Sequence, residues 1–209
     1  MRVVTISGTS SEIGKTTLVC DLLERLPGWA AVKVTRGHYR SCGRDPETCC
    51  VSHLLGDEPR VYSDRATTDV PEKDTGRYWS AGASQVRWVV AASGQEEEGL
   101  RRALAELENA AGVIVEANRA VRAVEPDLAI LVAHPAQKEI KATARRIAGR
   151  MHALYVPDRE AALAADPVAL AGAELGARPC PVWGPDDLDR IAARAAGVEA
   201  SSARPGATV

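Results

Sequence analysis

Val3-Val4-Thr5-Ile6-Ser7-Gly8-Thr9-Ser10-Ser11-Glu12-Ile13-Gly14-Lys15-Thr16-Thr17-Leu18 is the stretch that decides the fold. Val3, Val4 and Ile6 form a short apolar, β-branched run of the kind buried in a parallel strand. Gly8 and Gly14 let the backbone turn tightly and point N–H groups inward. Leu18, Leu22 and Leu23 begin a helix whose positive N-terminal end falls at the same place. Lys15 can reach a β- or γ-phosphate, and the Thr16 hydroxyl can hold Mg²⁺. The ligand that suits this strand, loop and helix is a nucleoside triphosphate. The bland alternative is a glycine-containing turn with a capping Ser or Thr.

Five residues, Thr9 to Ile13, separate the two glycines, where the usual phosphate loop has four. The five-residue form resembles the loops of dethiobiotin synthetase and cobyrinic acid a,c-diamide synthase, which read Gly-Thr-x-[Ser/Thr]-x-Val-Gly-Lys-Thr. That resemblance implies the P-loop nucleoside triphosphatase fold. It implies nucleotide contacts from Gly8, Ser11, Glu12, Ile13, Gly14, Lys15, Thr16 and Thr17.

Working outward, the 209 residues suit one α/β domain with a full core. It is expected to span 1–196, with a long loop at 36–75 after the second strand and a disordered tail at 197–209. A net charge of −2 gives no electrostatic argument for nucleic acid or an anionic membrane. The chain opens directly in a strand and shows no long apolar segment, so a soluble, cytoplasmic protein is expected. In that compartment the five cysteines read as free thiols or metal ligands rather than disulfides.

The pattern predicts strands at 2–7, Ala30–Val34, Gln85–Val90, 112–116, Asp127–Val132 and, last, Ala153–Val156. A short strand is expected at Arg60–Tyr62. Helices are expected at 15–26, about 76–83, 95–110, 136–150 and 185–196. Leu100, Leu104 and Leu107 share one face, and Glu96 to Glu98 suit a helix N-terminus. Strands alternating with helices imply a mostly parallel, three-layer sheet.

Glu116 follows the buried run Val113-Ile114-Val115. Carboxylates at the carboxyl ends of parallel strands sit where such sheets bind ligands, so Glu116 can reach Mg²⁺ directly or through water. The alternative is a surface carboxylate. Lys33 interrupts the apolar run Ala30, Ala31, Val32, Val34 and must place its ammonium at a sheet end or pair it. Beside the phosphate loop it could neutralise a second anion. Asp74 either completes the Mg²⁺ sphere with Thr16 and Glu116 or caps the helix after it. Arg77, a turn further on, faces either a phosphate or solvent. Lys15 and Glu116 are the candidate catalytic groups.

Lys73-Asp74-Thr75-Gly76-Arg77, followed by Ala81-Gly82-Ala83 and a strand, resembles the molybdopterin-guanine dinucleotide biosynthesis adaptor family. Ala31-Val32-Lys33 is similar to its second strand and Val113-Ile114-Val115-Glu116 to its carboxylate strand. Thr35-Arg36-Gly37-His38 stands where that family has Thr-His-His, and Ala117 where it has Gly. The resemblance implies binding of ATP or GTP with Mg²⁺, slow hydrolysis, a homodimer and an enzyme partner in cofactor synthesis. The rivals are a binding module, in which the nucleotide is a conformational switch and the loop docks a cofactor-synthesis enzyme or carries a metal, and a ligase or kinase of the dethiobiotin synthetase type. No Asn-Lys-x-Asp guanine signature follows the 128–132 strand, where His134-Pro135 stands, so both bases stay open.

His38, Cys42, Cys49, Cys50 and His53 lie within sixteen residues of the long loop. Such soft ligands could hold Zn²⁺ or another transition metal, with Cys42, Cys49, Cys50 and His53 as the set. Free thiols or a redox pair are the alternatives. The arrangement is similar to that of metal-delivering GTPases of hydrogenase and urease maturation, which place Cys and His near the nucleotide. Cys20, Cys180, Trp79, Trp88 and Trp183 read as packing residues.

Overall fold

The computed structural model describes residues 1–39, 49–107, 109–135, 140–165 and 180–198. β1 (Arg2–Gly8) leads through the glycine loop into α1 (Lys15–Leu23) and then β2 (Ala30–Arg36). After β3 (Arg60–Tyr62) come α2 (Arg65–Thr68), α3 (Asp74–Ser80), β4 (Val86–Ala91), α4 (Glu96–Ala105) and β5 (Gly112–Glu116). The chain continues through α5 (Ala120–Ala123), β6 (Leu128–Val132), α6 (Ala142–Ile147), β7 (Ala153–Tyr155) and α7 (Arg159–Ala164). It closes with β8 (Val182–Trp183) and α8 (Leu188–Ala196).

The strands form one sheet in the order β3-β4-β2-β5-β1-β6-β7-β8. Every pairing is parallel except β3 with β4. Successive side chains point to opposite faces, so each central strand feeds two cores. Val4, Ile6, Ile114 and Ile130 pack one face against Leu18 and Leu22 of α1 and Ile191 of α8. Val32, Val89, Val113 and Val115 pack the other face against Leu100 and Ala103 of α4. Ala129, Leu131 and Leu154 meet Ala144 and Ile147 of α6. The result is the three-layer, mostly parallel α/β architecture that the strand and helix pattern predicts.

Several boundaries differ from expectation. α1 ends at Leu23, because the next N–H groups turn back onto Cys20, Leu22 and Leu23 before Pro27. α3 spans Asp74–Ser80 rather than 76–83. Gly82, at φ 90°, reverses the chain there, and Ala83 N–H reaches Tyr78 O at 3.0 Å. α4 is shorter than 95–110, and the described part of the 136–150 helix is α6 plus a 3₁₀ turn at Ala148–Arg150.

Ala153–Val156 is not the last strand. Two residues, Val182 and Trp183, extend the sheet by pairing with Leu154 and Tyr155. So short a run between Pro181 and Gly184 carries no readable periodicity. Within 36–75, β3 lies where expected, and α2 is an addition capped by Asp64, which accepts Thr67 N–H at 2.8 Å. Among the described residues, no helix is long and apolar enough to cross a membrane.

Candidate functional site

The site is built where β1, β2 and β5 end side by side. In the parallel register Ile6 pairs with Glu116, and Glu116 pairs with Lys33. The loop leaves β1 at Gly8, whose N–H donates to Asn118 Oδ1 at 3.0 Å. A Cβ on Gly8 would come within 2.7 Å of Lys15 Cδ, so glycine is what lets the lysine stem fold back across the loop. Lys15 Nζ then donates to Ser10 O at 2.9 Å.

The loop backbone turns left-handed at Glu12 (φ 56°) and Gly14 (φ 93°). A Cβ at Gly14 would also crowd Pro157 Cγ at 3.0 Å. Such turns make a concave backbone that offers successive N–H groups to an anion. The first intrahelical bond of α1 runs from Leu18 N–H to Gly14 O, and no side chain caps the helix. The N–H groups of Lys15, Thr16 and Thr17 therefore lie ahead of the helical ladder, at its positive end. Lys141 secures the loop from the β6 side. Its N–H donates to Thr9 O at 2.9 Å and its Nζ to Ser11 Oγ at 2.7 Å.

Thr16, Asp74 and Glu116 converge. Thr16 Oγ1 stands 2.9 Å from Glu116 Oε2 and 3.1 Å from Asp74 Oδ1, its one proton serving whichever carboxylate it faces. Lys33 Nζ bridges the same two acids, 2.5 Å from Glu116 Oε1 and 2.6 Å from Asp74 Oδ2. Tyr78 OH, fully buried on α3, donates to Glu116 Oε2. Glu116 is thus 2% exposed with each of its oxygens engaged. The helix-cap alternative for Asp74 is not what is seen, since its carboxylate turns away from its own helix to Lys33 and Thr16. Arg77 Nη2 donates to Thr17 Oγ1 at 3.3 Å and lines the same groove as Lys15 and Thr16.

The electrostatics follow from burial and neighbours. Burial pushes the Lys15 ammonium below its ordinary value, and Lys33 and Lys141 add to that against the pull of Glu116 and Asp74. Burial acts the same way on Lys33, but Glu116 and Asp74 outweigh it and raise its pKa. For Asp74, burial is outweighed by Lys33 and by the hydrogen bonds from Lys33 and Thr16, so its carboxyl sits below the usual range. Burial, with Glu116 alongside, pushes the Tyr78 phenol well up.

The structure brings together Gly8, Ser11, Glu12, Ile13, Gly14, Lys15, Thr16, Thr17, Lys33, Asp74 and Glu116 around one groove at the sheet's carboxyl edge. Tyr78, Asn118 and Lys141 belong to it and were not among the sequence candidates. Asn118, two residues past Glu116, was the one with a positional signal.

Among the described residues, Cys49, Cys50 and His53 are not gathered in this way. Cys49 packs against Val51 and Val90, while Cys50 and His53 are exposed. Cys42 lies outside the described residues. Among the described residues no three His, Cys, Asp or Glu side chains form a group that could hold a metal. Trp183 is buried, and Trp79 and Trp88 pack against the cores as expected.

No protein-family model and no curated protein matches the chain. Among solved structures it is similar to the crystal structure of the "apo" form of LpxK from Aquifex aeolicus in complex with ATP. The identity is 19% over 77% of this chain and 49% of that one, with a TM-score of 0.45. The chain thus spans about half the length of that protein. A likeness of this degree adds nothing to the reading of the site, which rests on its own geometry.

Proposed function

We propose that the chain binds a nucleoside triphosphate with Mg²⁺ at the loop between β1 and α1 and cleaves its terminal phosphoryl bond. The observation that carries this is the meeting of two half-sites. One is a left-handed, uncapped loop carrying Lys15; the other is the hard-oxygen set of Thr16, Asp74 and Glu116. The oxygen set fits Mg²⁺, which takes one or two carboxylates together with phosphate oxygens and water. The Lys33 ammonium lying between the two acids supports their suitability for a cation.

Each residue then has a task. Lys15 exchanges Ser10 O for the β,γ-phosphate oxygens, and the N–H groups of the loop and of the start of α1 hold the phosphates in line. Thr16, Asp74 and Glu116 hold the metal, and Mg²⁺ when bound supplies charge neutralisation at the phosphates. Tyr78 and Asn118 hold Glu116 and Gly8 in place. Lys33, freed from its acids, Arg77 and Lys141 are further cations at the site. Stabilisation of the transferred group by fixed charges is the catalytic principle.

Within this reading, slow hydrolysis by an accessory protein of cofactor synthesis is supported by the Lys73–Arg77 and Val113–Glu116 resemblances to the molybdopterin-guanine dinucleotide adaptors. A homodimer and an enzyme partner follow from the same resemblance. A second reading, transfer to a small acceptor as in dethiobiotin synthetase, is favoured by a cavity of about 340 Å³ that adjoins Lys15, Lys33 and Glu116. There the acceptor's lone pair bonds to the γ-phosphorus as the bond to the departing nucleoside diphosphate breaks. The metal-handling reading finds no assembled ligand group among the described residues.

Calorimetric titration with ATP and GTP, with and without Mg²⁺, tests the proposal. Mg²⁺-dependent binding of one of them is the expected result and identifies the base. Binding of neither overturns it.

A further inference from the structure

Arg36, at the end of β2, and Arg119, just ahead of α5, converge on one carboxylate. Glu96 Oε1 lies 3.3 Å from Arg119 Nη1 and 4.0 Å from Arg36 Nε. Its other oxygen accepts Gly94 N–H at 2.7 Å. The Glu96 side chain is 7% exposed, whereas Arg119 is 25% and Arg36 48% exposed. Among the described residues, two guanidiniums therefore share one acid that is already engaged from behind, and Glu97, which lines the same cavity, is paired with Arg122 at 3.5 Å, so positive charge is in excess on the open side. A guanidinium presents a planar fork that matches carboxylate and phosphate oxygens.

That open side is the cavity of about 340 Å³, whose lining also includes Lys15, Lys33 and Glu116. Its size falls at the lower end of small-molecule sites. Lys33 and Arg36 are three residues apart on β2 and so face opposite sides of the sheet. The cavity accordingly passes over the carboxyl edge of the sheet, from the phosphate loop to the start of α4. Leu100 and Ala120 give it an apolar wall. None of the phosphate or metal contacts assigned above uses Arg36, Glu96 or Arg119.

We infer that this cavity binds a small molecule bearing a carboxylate or phosphate group, held by Arg36 and Arg119, as the second ligand of the site. Only its standing as a second ligand rests on the nucleotide reading; the anion grip stands on the two arginines and their shared acid. Glu96 orients both guanidiniums and sets how much positive charge they have to spare. An anion entering beside it competes with that carboxylate for the same donors.

The test is calorimetry on the full chain, saturated with Mg²⁺ and the β,γ-imido analogue of the nucleotide so that the phosphate loop is filled. Succinate and inorganic phosphate are the two probes. Binding of succinate alone marks a carboxylate ligand, and binding of phosphate alone marks a phosphorylated one. Arg119→Gln is expected to weaken the bound probe at least tenfold with nucleotide affinity unchanged. Glu96→Gln is expected to strengthen it several-fold, which loss of structure would not do, and it decides the matter if Arg119→Gln fails to fold. Wild-type protein that binds neither probe, or a Glu96→Gln variant that binds no more tightly, overturns the inference. If the wild type rejects the nucleotide analogue yet holds the anion with the same variant pattern, the nucleotide reading falls and the anion grip stands.

Discussion

Lys33 Nζ sits 2.5 Å from Glu116 Oε1 and 2.6 Å from Asp74 Oδ2, bridging two acids that belong to different elements. Removing the ammonium leaves a carboxylate at 2% exposure facing a second one. Breaking a buried pair from one side costs about 3 kcal/mol or more. Lys33→Met should therefore lower stability by about that amount in chelator. Mg²⁺ should then raise the melting temperature of the variant more than that of the wild type. Equal Mg²⁺ shifts in the two proteins would remove Asp74 and Glu116 from any cation site.

Lys15→Ala should weaken nucleotide binding by about 3 kcal/mol, on the order of a hundredfold in Kd, through loss of a charge-assisted contact to the phosphates. The fold should persist, because among the described residues the hydrogen bond Lys15 Nζ makes is with the loop's own Ser10 carbonyl. Titration of the variant beside the wild type checks both points. An unchanged Kd would mean the phosphates lie elsewhere.

The lowered Lys15 pKa gives a pH signature. Burial disfavours its charged form in the free protein, so it loses its proton below the usual 10.5. Bound phosphates favour the charged form again. Binding should thus take up protons, and affinity should fall as pH rises through the alkaline range below 10.5. Lys33 shifts upward and stays charged across that window, and Asp74 shifts downward and stays ionised. Binding heats in two buffers of different ionisation enthalpy measure the uptake. A flat affinity up to pH 10.5 would contradict it.

Tyr78→Phe removes a buried donor to Glu116 without changing shape. A hydrogen bond to a charged group contributes roughly 1.5–3 kcal/mol, and urea unfolding should show a loss in that range. Gly76→Ala on the same helix should cost about 1–3 kcal/mol by overpacking, since its Cβ would fall 2.1 Å from Val70 O. Gly76→Ala should loosen Mg²⁺ binding by shifting α3, which carries Asp74, and Tyr78→Phe by releasing the Glu116 carboxylate. A Gly76→Ala protein of wild-type stability would show that the Val70 turn yields freely.

What the sequence made legible was whatever a local pattern could carry. The run from Val3 to Leu18 holds strand, loop and helix start in consecutive residues, and its glycines mark the turns the backbone makes. Glu116 was readable because it ends an unbroken apolar strand. Lys33 was readable because an apolar strand carries no lysine without a partner. Tyr78 carries no such signal, because its role depends on α3 lying beside the end of β5, which no short-range pattern encodes. Asn118 and Lys141 act on a loop more than a hundred residues upstream. The two-residue β8 has no period to detect. For the cysteines, closeness in sequence suggested a cluster; among the described residues Cys49 is turned into an apolar pocket and Cys50 outward.

The flanks of the sheet have a bearing on how copies of the chain can meet. One flank is β3, three residues long, running against the grain and carrying the exposed Arg60; the other is the two-residue β8. A strand from another molecule laid along either would gain few backbone hydrogen bonds, and on the β3 side it would confront a charge. Ribbon-like growth from chain to chain is discouraged by construction. Among the described residues, that leaves side-chain surfaces on the helical layers as the ground for contact between copies.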